Sequence, residues 1–189
     1  MKILKWKFAE PKGEFFPVEE EVSRFNEGEV LIEVAGCGVC HTDISFWYDG
    51  VKTRKAPPLT LGHEISGKVI AGDKKWLGKN VIVPAVLPCG DCFLCNRNRY
   101  NICQNQKMPG NDFDGGFATH VVVPSRFLCE VQDELLKKYR LWELAVVADA
   151  ISTPYQVIRR ANIQEGDFAI IFGAGGIGIY GIQLAKTFG

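Results

Sequence analysis

Four cysteines of this 189-residue chain fall inside one short stretch, Cys89, Cys92, Cys95 and Cys103 in PCGDCFLCNRNRYNIC. The spacing C-x2-C-x2-C-x7-C lets four thiolates converge on a single ion, and four sulfurs suit tetrahedral zinc. With every position filled by protein, no place is left for a reacting group, so the expected role is structural. An iron–sulfur cluster also takes four thiolates, but the usual ferredoxin spacings differ from this one. A lobe of this size carries little apolar material of its own, and structural zinc binding, worth about 10 kcal/mol or more, is what would order it. The remainder of the chain must then be a scaffold from which such a lobe can project.

That scaffold is affordable in length and composition. With 47% hydrophobic residues the chain can bury one good core and begin a second. Twenty-two basic residues balance twenty-two acidic ones, which gives no electrostatic reason to expect nucleic acid or an anionic membrane as partner. The start, MKILKWKFAEPKGEFF, has no long apolar run with a small-residue cleavage site, and no stretch reaches the apolar length of a membrane span, so the cytoplasm is the expected compartment. Seven cysteines in such a chain read as metal ligands and free thiols rather than a disulfide framework. Cys37 and Cys129 find no metal role and are expected as small buried residues.

The first 150 residues or so read as short strands punctuated by glycine and proline: Ile3 to Phe8, Glu29 to Gly36, Ile65 to Ile70, Asn80 to Pro84 and Ala118 to Val123. The expected fold is mainly β and barrel-like, with long loops at Cys40 to Leu61 and Pro88 to Asp114 that carry the metal residues. The pattern turns helical from Leu141 to Ala150 and from Pro154 to Ala161. Gln164 to Asp167 then turns into the apolar strand Phe168 to Phe172, followed by a helix from Gly176 to Phe188. A domain junction is placed near Ile151, with residues 1–150 before it and 151–189 after it. A parallel sheet needs several β-α units and this chain has one, so the sequence is expected to be the amino-terminal part of something larger.

Two further sets of residues carry chemistry. Cys40 in GVCHTD, His63 in GHE and Asp149 in VADAISTPY offer one soft, one borderline and one hard donor, leaving a fourth zinc position for water or an alcohol oxygen. Taken singly each has an ordinary reading: a buried thiol, a satisfied imidazole, a helix cap. Gly173, Gly175, Gly176 and Gly178 in FGAGGIG follow the apolar strand and open a helix, where amide groups and the helix dipole receive a pyrophosphate. The residue that would read the ribose 2′-hydroxyl lies about 20 positions further on, so NAD and NADP both stay open.

GVCHTD, GHEISG, the four-cysteine lobe, DGGFA and GAGGIG occur in the order typical of zinc-containing medium-chain alcohol dehydrogenases, and the chain resembles that family over essentially its whole length. The resemblance implies a GroES-like catalytic domain followed by the start of a Rossmann domain, two zinc ions (one catalytic, one structural), and an NAD(P)-linked oxidation. Carried over residue by residue, it implies catalytic zinc on Cys40, His63 and a third residue. Asp149 stands there where the family commonly has cysteine, and Glu64 sits behind or transiently on the metal. Thr42 matches the hydroxyl that relays the substrate proton, Asp43 the carboxylate that orients the histidine, and His41 a position that meets the cofactor pyrophosphate. Ser45 stands where several relatives place a histidine that passes the proton outward.

Within the family, VAGCGVCHTDISFWYDGV, PLTLGHEISGKVI, QKMPGNDFDGGFATHVVVP and VVADAISTPYQ are most similar to the 6-hydroxycyclohex-1-ene-1-carbonyl-CoA dehydrogenases of anaerobic benzoyl-CoA breakdown, a group that carries VADA at the third-ligand position. That likeness implies a secondary alcohol on a CoA thioester as substrate, and a homo-oligomer at full length. Lys52, Arg54 and Lys55 form a basic loop that could meet CoA phosphates. Two alternatives stand beside it: the same fold acting on a simple or polyol alcohol, and a non-catalytic four-cysteine zinc module.

Overall fold

The computed structural model describes residues 1–188. A two-stranded antiparallel ribbon comes first, β1 (Lys2–Lys7) with β2 (Phe16–Glu21). The main sheet is five-stranded and antiparallel, in the order β6 (His120–Pro124), β3 (Glu29–Gly38), β4 (Glu64–Gly72), β5 (Asn80–Val83), β7 (Cys129–Glu130). Isolated bridges Lys5–Ala118 and Phe8–Leu59 tie the ribbon to the rest. This is the mainly β architecture expected; the second strand of the ribbon, FPVEEE, has too few apolar residues to announce itself by alternation.

The central strands are buried on both faces, which is why they read as apolar runs rather than alternations. Val30, Ile32, Ile65, Val69, Val81, Val83, Val121 and Val123 make the main cluster on one face. On the other, Ile82 packs with Val131, Leu144 and Ala148. Leu144 and Ala148 belong to Leu141–Ala148, expected as a helix and found as a run of 3-10 turns pressed against the sheet. The run ends at Asp149 with φ −139° and ψ −62°, outside helical geometry. Two register shifts along β3, between Leu31 and Ile32 and between Val34 and Gly36, bend the strand end that delivers Cys40.

Three expectations need correction. The segment Cys40 to Leu61, read as a loop, contains α1 (His41–Trp47); at seven residues it is too short to display two helical periods. Phe168 to Phe172, read as a strand, pairs with nothing among the described residues, and Phe168 and Phe172 stay 90% and 95% exposed. A parallel strand needs a neighbour to bond, and these residues supply one extended segment only. Cys129 lies exposed on its two-residue edge strand rather than buried. A four-residue helix, α2 (Asp133–Leu136), precedes the 3-10 run; α3 (Ser152–Ala161) and α4 (Gly176–Phe188) fall where the pattern put them. Among the described residues, no helix is long and apolar enough to cross a membrane.

Candidate metal centres and cofactor loop

The local cluster assembles as its spacing predicts. The sulfurs of Cys103 and Cys89 lie 3.4 Å apart, Cys92 and Cys103 3.8 Å, and Cys89 and Cys95 4.0 Å, with all four donors within 4.8 Å of one another. A tetrahedron of zinc–sulfur bonds of about 2.3 Å has edges of about 3.8 Å. None of the four is in a disulfide. Two single 3-10 turns, Cys95–Arg97 and Tyr100–Ile102, shape the lobe. The backbone N–H groups of Cys95 and Gln104 hold the Cys92 thiol below its usual range, which favours the thiolate that a metal needs. Arg126 reaches in from the β scaffold, donating to the carbonyls of Cys89 at 3.3 Å and Gly90 at 3.0 Å. Beside it the Tyr100 and Phe127 rings pack with centroids 5.0 Å apart. Sequence reading overlooked Arg126, because nothing local marks a residue that works across 36 positions.

The distant set converges as well. Cys40 Sγ lies 3.9 Å from Asp149 Oδ2, and His63 Nε2 lies 3.5 Å from the same oxygen. Glu64 joins them, all four donor atoms lying within 4.8 Å of each other. Cys40 comes from the N-cap of α1, His63 and Glu64 from the entry to β4, and Asp149 from the end of the 3-10 run. Asp43 does most of the positioning. Its Oδ2 accepts from the Cys40 N–H at 3.0 Å, while Oδ1 accepts from the Gly62 N–H at 3.0 Å and faces His63 Nδ1 at 3.3 Å. One buried carboxylate thereby fixes the helix start and the imidazole plane together. Glu64 Oε1 accepts from the Ala150 N–H at 3.0 Å, and a Cβ on Gly38 would come within 2.0 Å of Glu64 Oε2. Glycine at 38 is what lets that carboxylate lie against β3.

The electrostatics of this set suit a cation. His63 is 1% exposed, and its Nε2 finds no hydrogen-bond partner among the described residues. Burial disfavours its charged form, yet the carboxylates of Asp149 and Asp43 beside the ring, with the Cys40 thiol, outweigh burial and push its pKa up to about 10. Asp149 is shifted down by His63 despite burial, and Glu64 is shifted up by burial. An orphaned ring nitrogen, a thiol and two carboxylates facing one point have the donor chemistry of a metal centre, with one soft, one borderline and two hard ligands. Thr42 Oγ1 stands 3.7 Å from Cys40 Sγ, and His41 is exposed one residue away. Cys37 lies beneath, half-buried, its thiol pushed up by burial and kept protonated.

The glycine loop leads directly into the head of α4. Gly173 takes φ +90°, and a Cβ on Gly178 would lie 2.0 Å from the Gly173 carbonyl oxygen, so only glycine closes this turn. Added Cβ atoms on Gly175 and Gly176 would meet nothing within 4 Å, leaving the amides at the head of α4 open to a phosphate. The basic loop is different. Arg54 pairs with Asp112 at 3.2 Å and Lys55 with Asp114 at 3.1 Å, so two of its three charges are already answered; Lys52 is exposed.

Known proteins are similar to this chain in sequence and in fold. L-threonine 3-dehydrogenase of Thermococcus kodakarensis is 32% identical over 178 residues, which is 91% of this chain and 49% of the relative. A cobalt- and zinc-bound thermostable alcohol dehydrogenase from Pyrobaculum aerophilum superposes with TM-score 0.87 at 30% identity, covering all of this chain and 57% of that one. Acetophenone reductase from Geotrichum candidum, solved with NAD, gives TM-score 0.87 at 28% identity over 99% of this chain and 55% of the other. The chain thus spans about half the length of the curated relatives it matches. The family model described as alcohol dehydrogenase GroES-like domain matches residues 26–133, which include Cys40, His63, Glu64 and the four-cysteine lobe and end before Asp149. With that match over more than half its length, the chain belongs to the zinc-type medium-chain alcohol dehydrogenase family.

Proposed function

We propose that this chain is the catalytic front of a zinc-dependent, NAD(P)-linked dehydrogenase that oxidises a secondary alcohol to a ketone. Residues 1–150 form its GroES-like domain and 151–189 begin its Rossmann domain. The observation that carries this is the convergence of Cys40, His63, Glu64 and Asp149 within 4.8 Å, beside a separate, closed set of four thiolates. We assign zinc to both sets, with Asp149 as third catalytic ligand and Glu64 as the carboxylate behind it. The catalytic ion supplies Lewis acidity that lowers the pKa of an alcohol hydroxyl, as it lowers that of water from about 16 to about 7.

The chain's own residues do the rest. Asp43 holds His63 with Nε2 forward, which keeps the ligand geometry fixed while charge changes nearby. Thr42 takes the alcohol proton and passes on its own; Ser45, one turn further along α1, offers no imidazole to carry that proton outward. A bound nicotinamide would supply the acceptor for the carbinol hydride and its two electrons, and His41 with the amides following Gly173, Gly175, Gly176 and Gly178 would hold its pyrophosphate. NAD is the assigned cofactor, with NADP the alternative.

For substrate we assign 6-hydroxycyclohex-1-ene-1-carbonyl-CoA, oxidised to the 6-oxo thioester, in a cytoplasmic homo-oligomer. The support is the likeness of the segments around Cys40, His63 and Asp149 and the VADA sequence; of the basic loop, Lys52 is the charge left to meet a CoA phosphate. The test is NADH formation by protein carrying the complete cofactor domain, offered this thioester, L-threonine and simple primary alcohols. Turnover of the thioester with NAD is the expected result. Ready oxidation of the simple alcohols or of L-threonine without the thioester would replace the substrate and keep the class. One zinc per chain, bound by the lobe alone, would favour a non-catalytic zinc module instead.

A further inference from the structure

Every donor of the distant set is held from behind, and Asp149 is held by a residue that no motif marks. Its Oδ1 accepts a short hydrogen bond from the Thr153 hydroxyl, while Oδ2 faces Cys40 Sγ at 3.9 Å and His63 Nε2 at 3.5 Å. One oxygen is therefore tied away from the centre and the other is aimed into it. Thr153 is itself fixed, because its N–H donates to the Asp149 carbonyl at 2.8 Å and closes the first turn into α3. Next to it, the Ser152 hydroxyl donates to the Ala148 carbonyl at 3.0 Å.

Asp149 needs such a tether. Its backbone sits between the 3-10 run and α3 with non-helical angles, so no regular element sets its direction. The carboxylate torsion of aspartate is broad and roughly two-fold, and a side chain 23% exposed could turn toward solvent. His63 and Glu64 face no such freedom, being 1% and 3% exposed and bonded to Asp43 and the Ala150 N–H. A cysteine at this position would offer a single donor atom and leave no choice between two. An aspartate must present one chosen oxygen.

We propose that Thr153 is a positioning residue for the metal centre, whose hydroxyl holds Asp149 Oδ1 so that Oδ2 alone coordinates. This rests on the reading that Cys40, His63 and Asp149 hold an ion. Thr153 is exposed, so replacing it opens no cavity and any effect on metal must pass through Asp149.

The test titrates the 189-residue chain with cobalt after the four-cysteine lobe has been filled with zinc. Thr153→Val keeps the shape and loses the hydroxyl; Thr153→Ser restores it; Cys40→Ser abolishes the centre. The expected result is a loss of about 10- to 100-fold in cobalt affinity for Thr153→Val, with recovery in Thr153→Ser. The visible d–d bands should also change intensity in Thr153→Val as the carboxylate becomes free to bind through both oxygens. Equal affinity and equal bands in Thr153→Val and the parent would overturn the proposal, as would a Thr153→Ser variant no better than Thr153→Val. Failure of the underlying reading looks different: the parent would take up no second ion, and Cys40→Ser would change nothing. If Thr153→Val fails to fold, Thr153→Ala serves in its place.

Discussion

Cys89 and Cys103 are 14 positions apart, whereas Cys40 and Asp149 are separated by 109. The two clusters offer similar numbers of donors and are built in opposite ways. The lobe has two brief 3-10 turns and leaves Phe93 62% and Ile102 42% exposed, so its shape depends on whatever the four sulfurs hold. The distant set sits at the ends of β3, β4 and the 3-10 run, on a scaffold whose valines and isoleucines are fully buried, and its His63, Glu64 and Asp43 are 1%, 3% and 3% exposed. The lobe would take its shape from a metal, whereas the scaffold would impose its shape on one. The lesson is that closed sites can be encoded locally, while an open, reactive site needs a scaffold to hold ligands against their mutual repulsion.

The largest expected effect breaks the local cluster. Cys103→Ala should drop zinc content from two ions per chain to one and return the amides from Cys89 to Cys103 to near unfolded-chain exchange rates, with β3 and β4 still protected. Hydrogen exchange read by mass spectrometry, with metal analysis on the same sample, decides it; loss of protection in β4 as well would mean that the lobe supports the scaffold rather than hanging from it. Next in size is His63→Ala, which removes a buried ring and strands the Asp43 carboxylate. A loss of about 3 kcal/mol is expected in urea unfolding under saturating zinc, with lobe exchange unchanged. A smaller loss, about 1–2 kcal/mol, is expected for Arg126→Met, since two hydrogen bonds from a guanidinium to Cys89 and Gly90 go. Its signature is faster exchange in a lobe that keeps its zinc. If lobe exchange in Arg126→Met matched the parent, docking would come from the Tyr100–Phe127 stack alone.

Legibility in the sequence followed the same division. The four cysteines announce themselves because their geometry is encoded in short spacings, and α4 was found to the residue from a glycine turn followed by a 3.6 period. Cys40, His63 and Asp149 could be picked out only through resemblance, since convergence across 109 positions is a property of the sheet and not of any window. Arg126 and Thr153 went unmarked for a related reason. Arg126 acts through hydrogen bonds to carbonyls 36 and 37 positions away, Thr153 through one to a residue whose own role depends on the fold, and arginine or threonine is common on any surface. Phe168 to Phe172 failed in the opposite sense, because the pattern of a buried strand is present but the described residues offer it no neighbouring strand.

The smallest expected effect separates acid loss of metal from acid loss of the scaffold's own charge network. Asp114 accepts from Lys5 Nζ at 3.0 Å, from Lys55 Nζ at 3.1 Å and from the Thr60 N–H at 3.2 Å, tying the ribbon to the turn after Asp112. Burial alone would raise its pKa; the lysine hydrogen bonds outweigh burial and hold it at about 2. A carboxyl depressed in the fold stabilises above its unfolded value of about 3.9 and loses that contribution as pH falls through the folded value. The window is therefore about pH 4 down to about pH 2. The shift corresponds to about 2–3 kcal/mol, and solvent screening of a group that is not fully buried cuts this to about 1 kcal/mol. Asp114→Asn should lower stability at neutral pH by that amount and flatten its dependence between pH 4 and pH 2. Thiolate and imidazole ligands take up protons at higher pH than this, so metal is released before the window opens. Urea unfolding across the acid range, with and without chelator, tests the separation. Parallel acid limbs for Asp114→Asn and the parent would show that the network contributes nothing, and that acid stability follows the metal sites alone.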